Sequence, residues 1–166
     1  NKDLTLTPVW FDTDTFMSSL EYRQENKYSS FLADFAAVNN YESYTTKKRN
    51  TLSHFFLNFN LDLNLKKHDT SSLDMRFENV SKESYLSVFD QYITKEKRLR
   101  PGNSNQLENS IRLNLENKNY EFESGLTSYE TLNVKKDSDK YAYVLPYYGF
   151  SKKIFQDYFN GNTNFS

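Results

Sequence analysis

The chain has 166 residues, with 21 basic and 22 acidic side chains, two histidines and no cysteine. This charge balance gives no reason to expect nucleic acid or another polyanion as a partner. Without cysteine the chain can form neither a disulfide framework nor a thiolate metal site, and two histidines leave little for a histidine-based centre. Aromatic residues make up 17% of the chain, whereas glycine and proline number only 4 and 3, which favours long strands over a tightly turned sandwich.

Both ends of the chain are interpreted as cuts in a longer sequence. It opens on Asn1-Lys2-Asp3 with no apolar signal segment, and no stretch approaches the roughly 20 apolar residues of a membrane-spanning helix. The last residues, 164–166, fall inside what looks like another strand pattern. We therefore expect an internal piece of a longer protein.

Apolar residues recur with the period of two that puts successive side chains on opposite faces of a strand. In chain order the pattern predicts an antiparallel, all-β meander of about eight or nine strands, at 4–11, 16–25, 30–37, 53–65, 73–78, 107–116, 120–127, 141–147 and 155–159. The clearest strand has Phe55, Leu57, Phe59, Leu61, Leu63 and Leu65 on one face and His54, Asn58, Asn60, Asp62 and Asn64 on the other. Phe56 is its one exception. This strand exceeds the roughly 5–6 residues of an ordinary globular strand and the roughly 9–11 that cross a bilayer at a tilt.

The predicted connections are polar. Short turns fall at 12–14, 25–27 and 116–119, medium ones at 66–72 and 135–140, and longer ones at 39–50 and 81–105. Within the longest connection, Tyr85 to Phe89 is predicted to form a short helix or a docked loop. The basic run Lys95 to Arg100 is read as a solvated loop, or as a contact for anionic lipid headgroups, because no aromatic stacking partners for nucleic acid are interleaved with it.

One apolar face and one charged face fit two architectures. In a soluble antiparallel sheet the apolar face covers a core. In a membrane barrel the apolar face contacts lipid and the polar face lines a wet lumen. The strand lengths and the simple sequential order favour the barrel.

Signals for catalysis are nearly absent, and we expect no enzyme, no catalytic residue, no metal site and no cofactor. His54 is interpreted as an ordinary lumen or surface residue and His68 as a solvated turn residue. Glu121 and Glu123 are interpreted as part of a charged strand face. Pro8 lies inside a strand pattern and removes a ladder donor, so it marks either an edge strand or a deliberately weakened seam.

Four segments carry a resemblance to a known family. They are NKDLTLTPVWF at 1–11, SLEYRQEN at 19–26, NVSKESYLSVFD at 79–90, and the strand 121–132 followed by YVLPY at 143–147. In this order and spacing the chain resembles LptD, the outer-membrane lipopolysaccharide-assembly family also called organic solvent tolerance proteins.

The resemblance implies that residues 1–166 are the N-terminal third of a large transmembrane β-barrel in the cell outer membrane, with a periplasmic jellyroll and the remaining strands outside this chain. Implied partners are lipopolysaccharide, the plug lipoprotein LptE and the periplasmic Lpt bridge proteins, but no nucleic acid. Pro8 matches a proline of the family's second strand and would form part of a lateral gate. The predicted lumen-facing polar residues are Asn58, Asn60, Asp62, Asp74, Arg76, Glu78 and Arg112. The alternatives are another outer-membrane channel or transporter barrel, or a soluble β-rich binding domain.

Overall fold

The computed structural model describes residues 1–43, 47–93, 105–134 and 140–152. These residues form one eight-stranded antiparallel sheet in which every strand pairs with its neighbours in sequence. The strands are β1 (Lys2–Trp10), β2 (Phe16–Glu25), β3 (Ser29–Glu42), β4 (Arg49–Asp62), β5 (Thr70–Val80), β6 (Gln106–Glu116), β7 (Tyr120–Thr131) and β8 (Tyr141–Lys152). The predicted all-β meander is confirmed, and the sheet is open, with β1 and β8 as its edges.

Two bulges interrupt the register. Between β3 and β4 the pairing shifts between Val38 and Tyr41, where Asn40 has a φ of 56°. Beyond this bulge the ladder continues to Glu42 and Arg49, so the connection predicted at 39–50 is wrong and the loop is shorter. Between β7 and β8 two residues, including Pro146, stand opposite the single residue Leu126. Proline is tolerated there because a bulge leaves ladder positions unpaired.

The only helical structure in the described residues lies between β5 and β6. Tyr85–Val88 forms one turn of α-helix, α1, and Asp90–Tyr92 forms a 3-10 turn directly after it. The predicted short helix is therefore confirmed, and it is also docked against the sheet. None of the helices that the structure describes is long and apolar enough to span a membrane.

The hydrophobic core of the described chain lies where α1 meets the sheet. α1 and the residue that follows it contribute Tyr85, Leu86 and Phe89. The sheet residues and their neighbours in this cluster are Met17, Ala36, Val38, Leu52, Leu107 and Leu132. Backbone hydrogen bonds between Ser81 and Ser53, and between Phe89 and Tyr85, hold the segment in place. The core therefore sits at one end of the sheet.

The connections differ at the two ends of the sheet. One end carries 26–28, 63–69 and 117–119, and the other carries 11–15, 43–48, 81–105 and 132–140. The longest connection and the docked α1 are thus at the same end. The candidate strand at 155–159 and the basic run Lys95 to Arg100 lie outside the described residues.

Candidate functional site

The seven polar residues predicted to face a lumen share one face of the sheet. Cross-strand partners project to the same side, and Asn58 pairs with Arg76, Asn60 with Asp74, and Asp74 with Arg112. Asp62 lies on the same side of β4 as Asn58 and Asn60, and Glu78 lies on the same side of β5 as Asp74 and Arg76. We call this surface the polar face. That the polar face lines a lumen stays a prediction.

A hydrogen-bonded network centred on Asp74 occupies the middle of the polar face. Asn60 donates to one carboxylate oxygen of Asp74, and Ser72 and Asn114 donate to the other at 3.2 and 3.4 Å. Arg112 lies across from Asp74 and donates to Glu108 at 3.1 Å. These side chains are partly buried, which indicates a polar surface arranged by its own contacts.

Glu78 is enclosed near the α1 end of the polar face. Nε2 of His54 lies 3.0 Å from Oε1 of Glu78, and each side chain is only 1% exposed. The interpretation of His54 as an ordinary lumen or surface residue is therefore wrong. The physical reason is Tyr85, whose ring stacks on the His54 ring at 5.6 Å and excludes solvent from the pair.

Tyr85 fixes the docked segment and is itself fully buried. Its hydroxyl has no hydrogen-bond partner among the described residues. Burial raises the pKa of the Tyr85 phenol, and the nearby charge of Asp34 raises it further. The neutral phenol is therefore the form in which Tyr85 packs between α1 and the sheet.

The signal for this enclosed region was present in the sequence as Phe56. It breaks the alternation of β4 by placing a large apolar side chain on the polar face, where it is 2% exposed. Met17, Val38 and Leu52 lie on the same face and the same end. Apolar residues on a polar face indicate that something covers them, and α1 packs against Met17, Val38 and Leu52.

β7 extends the polar face with acidic residues. Glu121 and Glu123 lie on the same side of β7 as Gly125, which pairs with Arg112 of the polar face. Both glutamates are exposed, as expected for a charged strand face. Tyr147 of β8 pairs with Gly125, and its hydroxyl group donates a hydrogen bond to Glu123 at 2.8 Å. Among the described residues no cluster of histidine and acidic side chains could hold a metal ion.

The opposite surface, which we call the apolar face, is uncovered. Rows of apolar residues run across the strands, such as Leu6, Leu20, Phe35 and Phe55 in register. Leu6 is 66% exposed and Phe35 46% exposed. Other exposed members are Leu4, Trp10, Leu126, Tyr143, Tyr148 and Phe150. A contiguous apolar surface of this kind marks a contact with lipid or with another protein.

Pro8 lies on the outer edge of the sheet. Asn1 and Glu25 exchange two backbone hydrogen bonds, at 2.7 and 2.8 Å, so the odd-numbered residues of β1 are those that bond to β2. Pro8 pairs with Ser18 at a position where its nitrogen points away from β2. The β1–β2 ladder is therefore intact, and Pro8 removes one donor from the row that would bond a strand on the other side.

His68 is not merely solvated, as the sequence suggested. It is half-buried, and its Nε2 is hydrogen-bonded to the hydroxyl of Tyr120 at 2.7 Å. The two rings meet edge to face at 5.8 Å. The turn that contains His68 is thereby attached to the start of β7.

The comparisons with known proteins give no identity. No protein-family model matches this chain, and neither a curated protein nor a solved structure matches it.

Proposed function

We propose that this chain is a section of an outer-membrane β-barrel that transports lipopolysaccharide to the outer leaflet. In this proposal the apolar face contacts lipid and the polar face lines the passage for the sugar. Acyl chains leave through a seam at the edge of β1, and no covalent chemistry is involved. The lipoprotein plug LptE and the periplasmic Lpt bridge proteins are proposed partners through the resemblance alone.

The observation that carries the membrane assignment is the inversion of burial between the two faces. A soluble sheet buries its apolar face and exposes its polar face. Here the apolar face is open along the sheet, whereas the buried groups Asp34, His54 and Glu78 lie on the polar face, at the end that α1 covers. Lipid is the environment that satisfies an uncovered apolar face over the length of all eight strands.

The transported molecule is proposed from the character of the polar face. Asn58, Asn60 and Asn114 present amides, and Arg76 and Arg112 present guanidinium groups, across adjacent strands. Amides, carboxylates and guanidinium groups can replace water around sugar hydroxyls. A row of such groups supports the passage of a saccharide in contact with the wall.

The seam is proposed from Pro8. A partner strand bonding to the outer row of β1 would lack one donor, at Pro8. Each missing backbone bond lowers the cost of opening by about 0.5–1.5 kcal/mol. Opening would thus occur beside β1 and leave β1 attached to β2.

The connection lengths favour one orientation. Outer-membrane barrels have short periplasmic turns and longer outer loops, which would put the α1 end outside. β1 would then rise from the periplasm. In a barrel that the chain enters from the periplasm, rising strands are odd-numbered, so we propose an odd-numbered position for β1 in place of the second strand suggested by the sequence.

The test is site-specific photo-crosslinking in cells that produce the full-length protein. We expect a photoreactive residue at Asn58 or Asn60 to capture lipopolysaccharide. The matched controls, Leu57 and Phe59, lie at the same depth on the apolar face and are expected to capture phospholipid. Capture of neither lipid by any of the four would contradict a membrane location.

A second outcome would separate the transporter from other barrels. If Leu57 and Phe59 captured phospholipid but Asn58 and Asn60 never captured lipopolysaccharide, the polar face would belong to a channel for other solutes. Recovery of the full-length protein in the soluble fraction without detergent would instead favour a soluble β-rich binding domain.

A further inference from the structure

Two turns at the short-connection end of the sheet border an open surface cavity of about 270 Å³. The turn between β4 and β5 contributes Lys66, Lys67, His68 and Asp69, and the turn between β6 and β7 contributes Lys118 with two asparagines. The charged residues that line it are three lysines and one aspartate. We call these lysines and His68 the lysine patch.

Hydrogen bonds fix the two turns that carry the patch. The Asp69 amide donates to the carbonyl of Glu116 at 2.8 Å, which ties the first turn to the end of β6. The side-chain oxygen of Asn117 accepts from the amides of Asn119 and Tyr120 at 2.8 and 2.9 Å, which fixes the second turn. The three lysines are therefore carried by two turns whose backbones are fixed against the sheet.

The patch adjoins the apolar face directly. His68 is bonded to Tyr120, and the Tyr120 ring stacks on Phe150 at 5.8 Å. Phe150 belongs to the apolar face and is 51% exposed. A positive cavity thus lies next to aromatic rings at the boundary of an uncovered apolar surface. An amphiphile fits these two adjacent surfaces, with its anionic head in the positive cavity and its apolar tail on the aromatic rings.

We infer that the lysine patch binds the phosphate of an anionic phospholipid headgroup in the leaflet on the short-turn side of the membrane. The ammonium groups of Lys66, Lys67 and Lys118 neutralise the phosphate, and Tyr120 with Phe150 contacts the first part of the acyl chains. This inference rests on the membrane location proposed above and adds a ligand and a contact surface to it.

The test measures binding by the detergent-solubilised full-length protein. The three probes are short-chain phosphatidylglycerol, short-chain phosphatidylcholine and inorganic phosphate. We expect phosphatidylglycerol to bind most tightly, because it combines net charge with acyl chains, and we expect added salt to weaken it. Substituting Lys66→Gln, Lys67→Gln and Lys118→Gln together should weaken it about fivefold for each lysine, on the order of a hundredfold in all.

The matched control replaces three lysines at the opposite end of the sheet, Lys47, Lys48 and Lys82, by glutamine. It should leave phosphatidylglycerol binding unchanged. Because the patch lysines are exposed, the triple variant should keep the wild-type circular dichroism. If it does not fold, the single variants Lys66→Gln and Lys118→Gln carry the same test with fivefold effects.

Two results would overturn the inference. Unchanged phosphatidylglycerol binding by the patch variants would remove the lysines from the site. Inorganic phosphate binding as tightly as phosphatidylglycerol would assign the cavity to a soluble phosphate compound. Lysine-dependent phosphatidylglycerol binding by a protein that fails the crosslinking test at Asn58 and Asn60 would contradict only the proposed lipopolysaccharide cargo.

Discussion

At the scale of single residues, Pro8 is the position where one backbone group bears on function. Pro8→Val restores an outward N–H without touching the β1–β2 ladder, because the Pro8 nitrogen points away from Ser18. A partner strand would gain one bond of about 0.5–1.5 kcal/mol. We expect less newly made lipopolysaccharide to reach the surface of cells in which this variant is the only copy.

The matched control for this change is Leu6→Val. Leu6 lies in the same outward row and on the same face, and its donor is present before and after substitution. Export should be normal with Leu6→Val. Normal export with Pro8→Val as well would show that the missing donor has no role in opening.

Gly125 is the second residue whose identity is dictated by a neighbour. A Cβ built there would lie 2.9 Å from both the Tyr147 ring and the Tyr147 hydroxyl. Gly125→Ala should therefore push Tyr147 aside, break its 2.8 Å bond to Glu123 and lower the free energy of unfolding by about 1 kcal/mol. The measurement is the unfolding midpoint in denaturant.

Gly149 supplies the internal comparison for that measurement. It stands opposite Glu123 on the same face, and a Cβ there meets nothing within 4 Å. Gly149→Ala should leave the midpoint unchanged or raise it slightly, since alanine loses less backbone entropy on folding. Equal effects of the two substitutions would mean that Tyr147 does not depend on the gap at Gly125.

At the scale of elements, the strands were predictable because each buries or exposes one side in strict alternation. The failures fall where alternation is interrupted. The Val38–Tyr41 bulge hid the pairing of Glu42 with Arg49, and the β8 bulge at Pro146 blurred the pattern after Tyr141. Bulges depend on a partner strand, which a single strand's sequence does not contain.

The candidate site also contains features that alternation predicts and features that it does not. Parity alone placed Asn58, Asp74 and Arg112 on one face, since a period of two decides faces locally. The enclosure of His54 and Glu78 depends on Tyr85, which lies outside the strands and belongs to a helix of one turn. No periodicity can position an element that short, although Phe56 indicated that a cover was needed.

The docking of α1 can be tested as a unit. Leu86 is fully buried and Val88 is 43% exposed, two positions apart in the same helix. Leu86→Ala should cost about 2–5 kcal/mol, enough to release so small a segment, whereas Val88→Ala should cost within about 0.5 kcal/mol. Limited proteolysis is expected to cleave the connection 81–105 faster in Leu86→Ala and at the wild-type rate in Val88→Ala.

At the scale of the whole molecule, the inverted burial of the two faces leads to opposite expectations for a charge on each face. Phe55 lies near the middle of β4 on the apolar face and is 38% exposed, and Asn58 lies on the polar face of the same strand. In lipid, Phe55→Arg should destabilise the folded protein by about 2–4 kcal/mol, because an arginine on the lipid face must be desolvated or distort the bilayer. Asn58→Arg should cost no more than about 1 kcal/mol, because that face is wet in the proposed barrel and only the like charge of Arg76 lies opposite.

Equilibrium folding of the full-length protein into lipid vesicles measures both changes under one condition. If the apolar face were in contact with water instead, Phe55→Arg would cost within about 0.5 kcal/mol, as at an ordinary surface. Equal, small effects of Phe55→Arg and Asn58→Arg would therefore place the apolar face in water and contradict the barrel. A large effect confined to Phe55→Arg requires an apolar environment on that face and a wet one on the other, which is the physical condition for the proposed passage of sugar beside lipid.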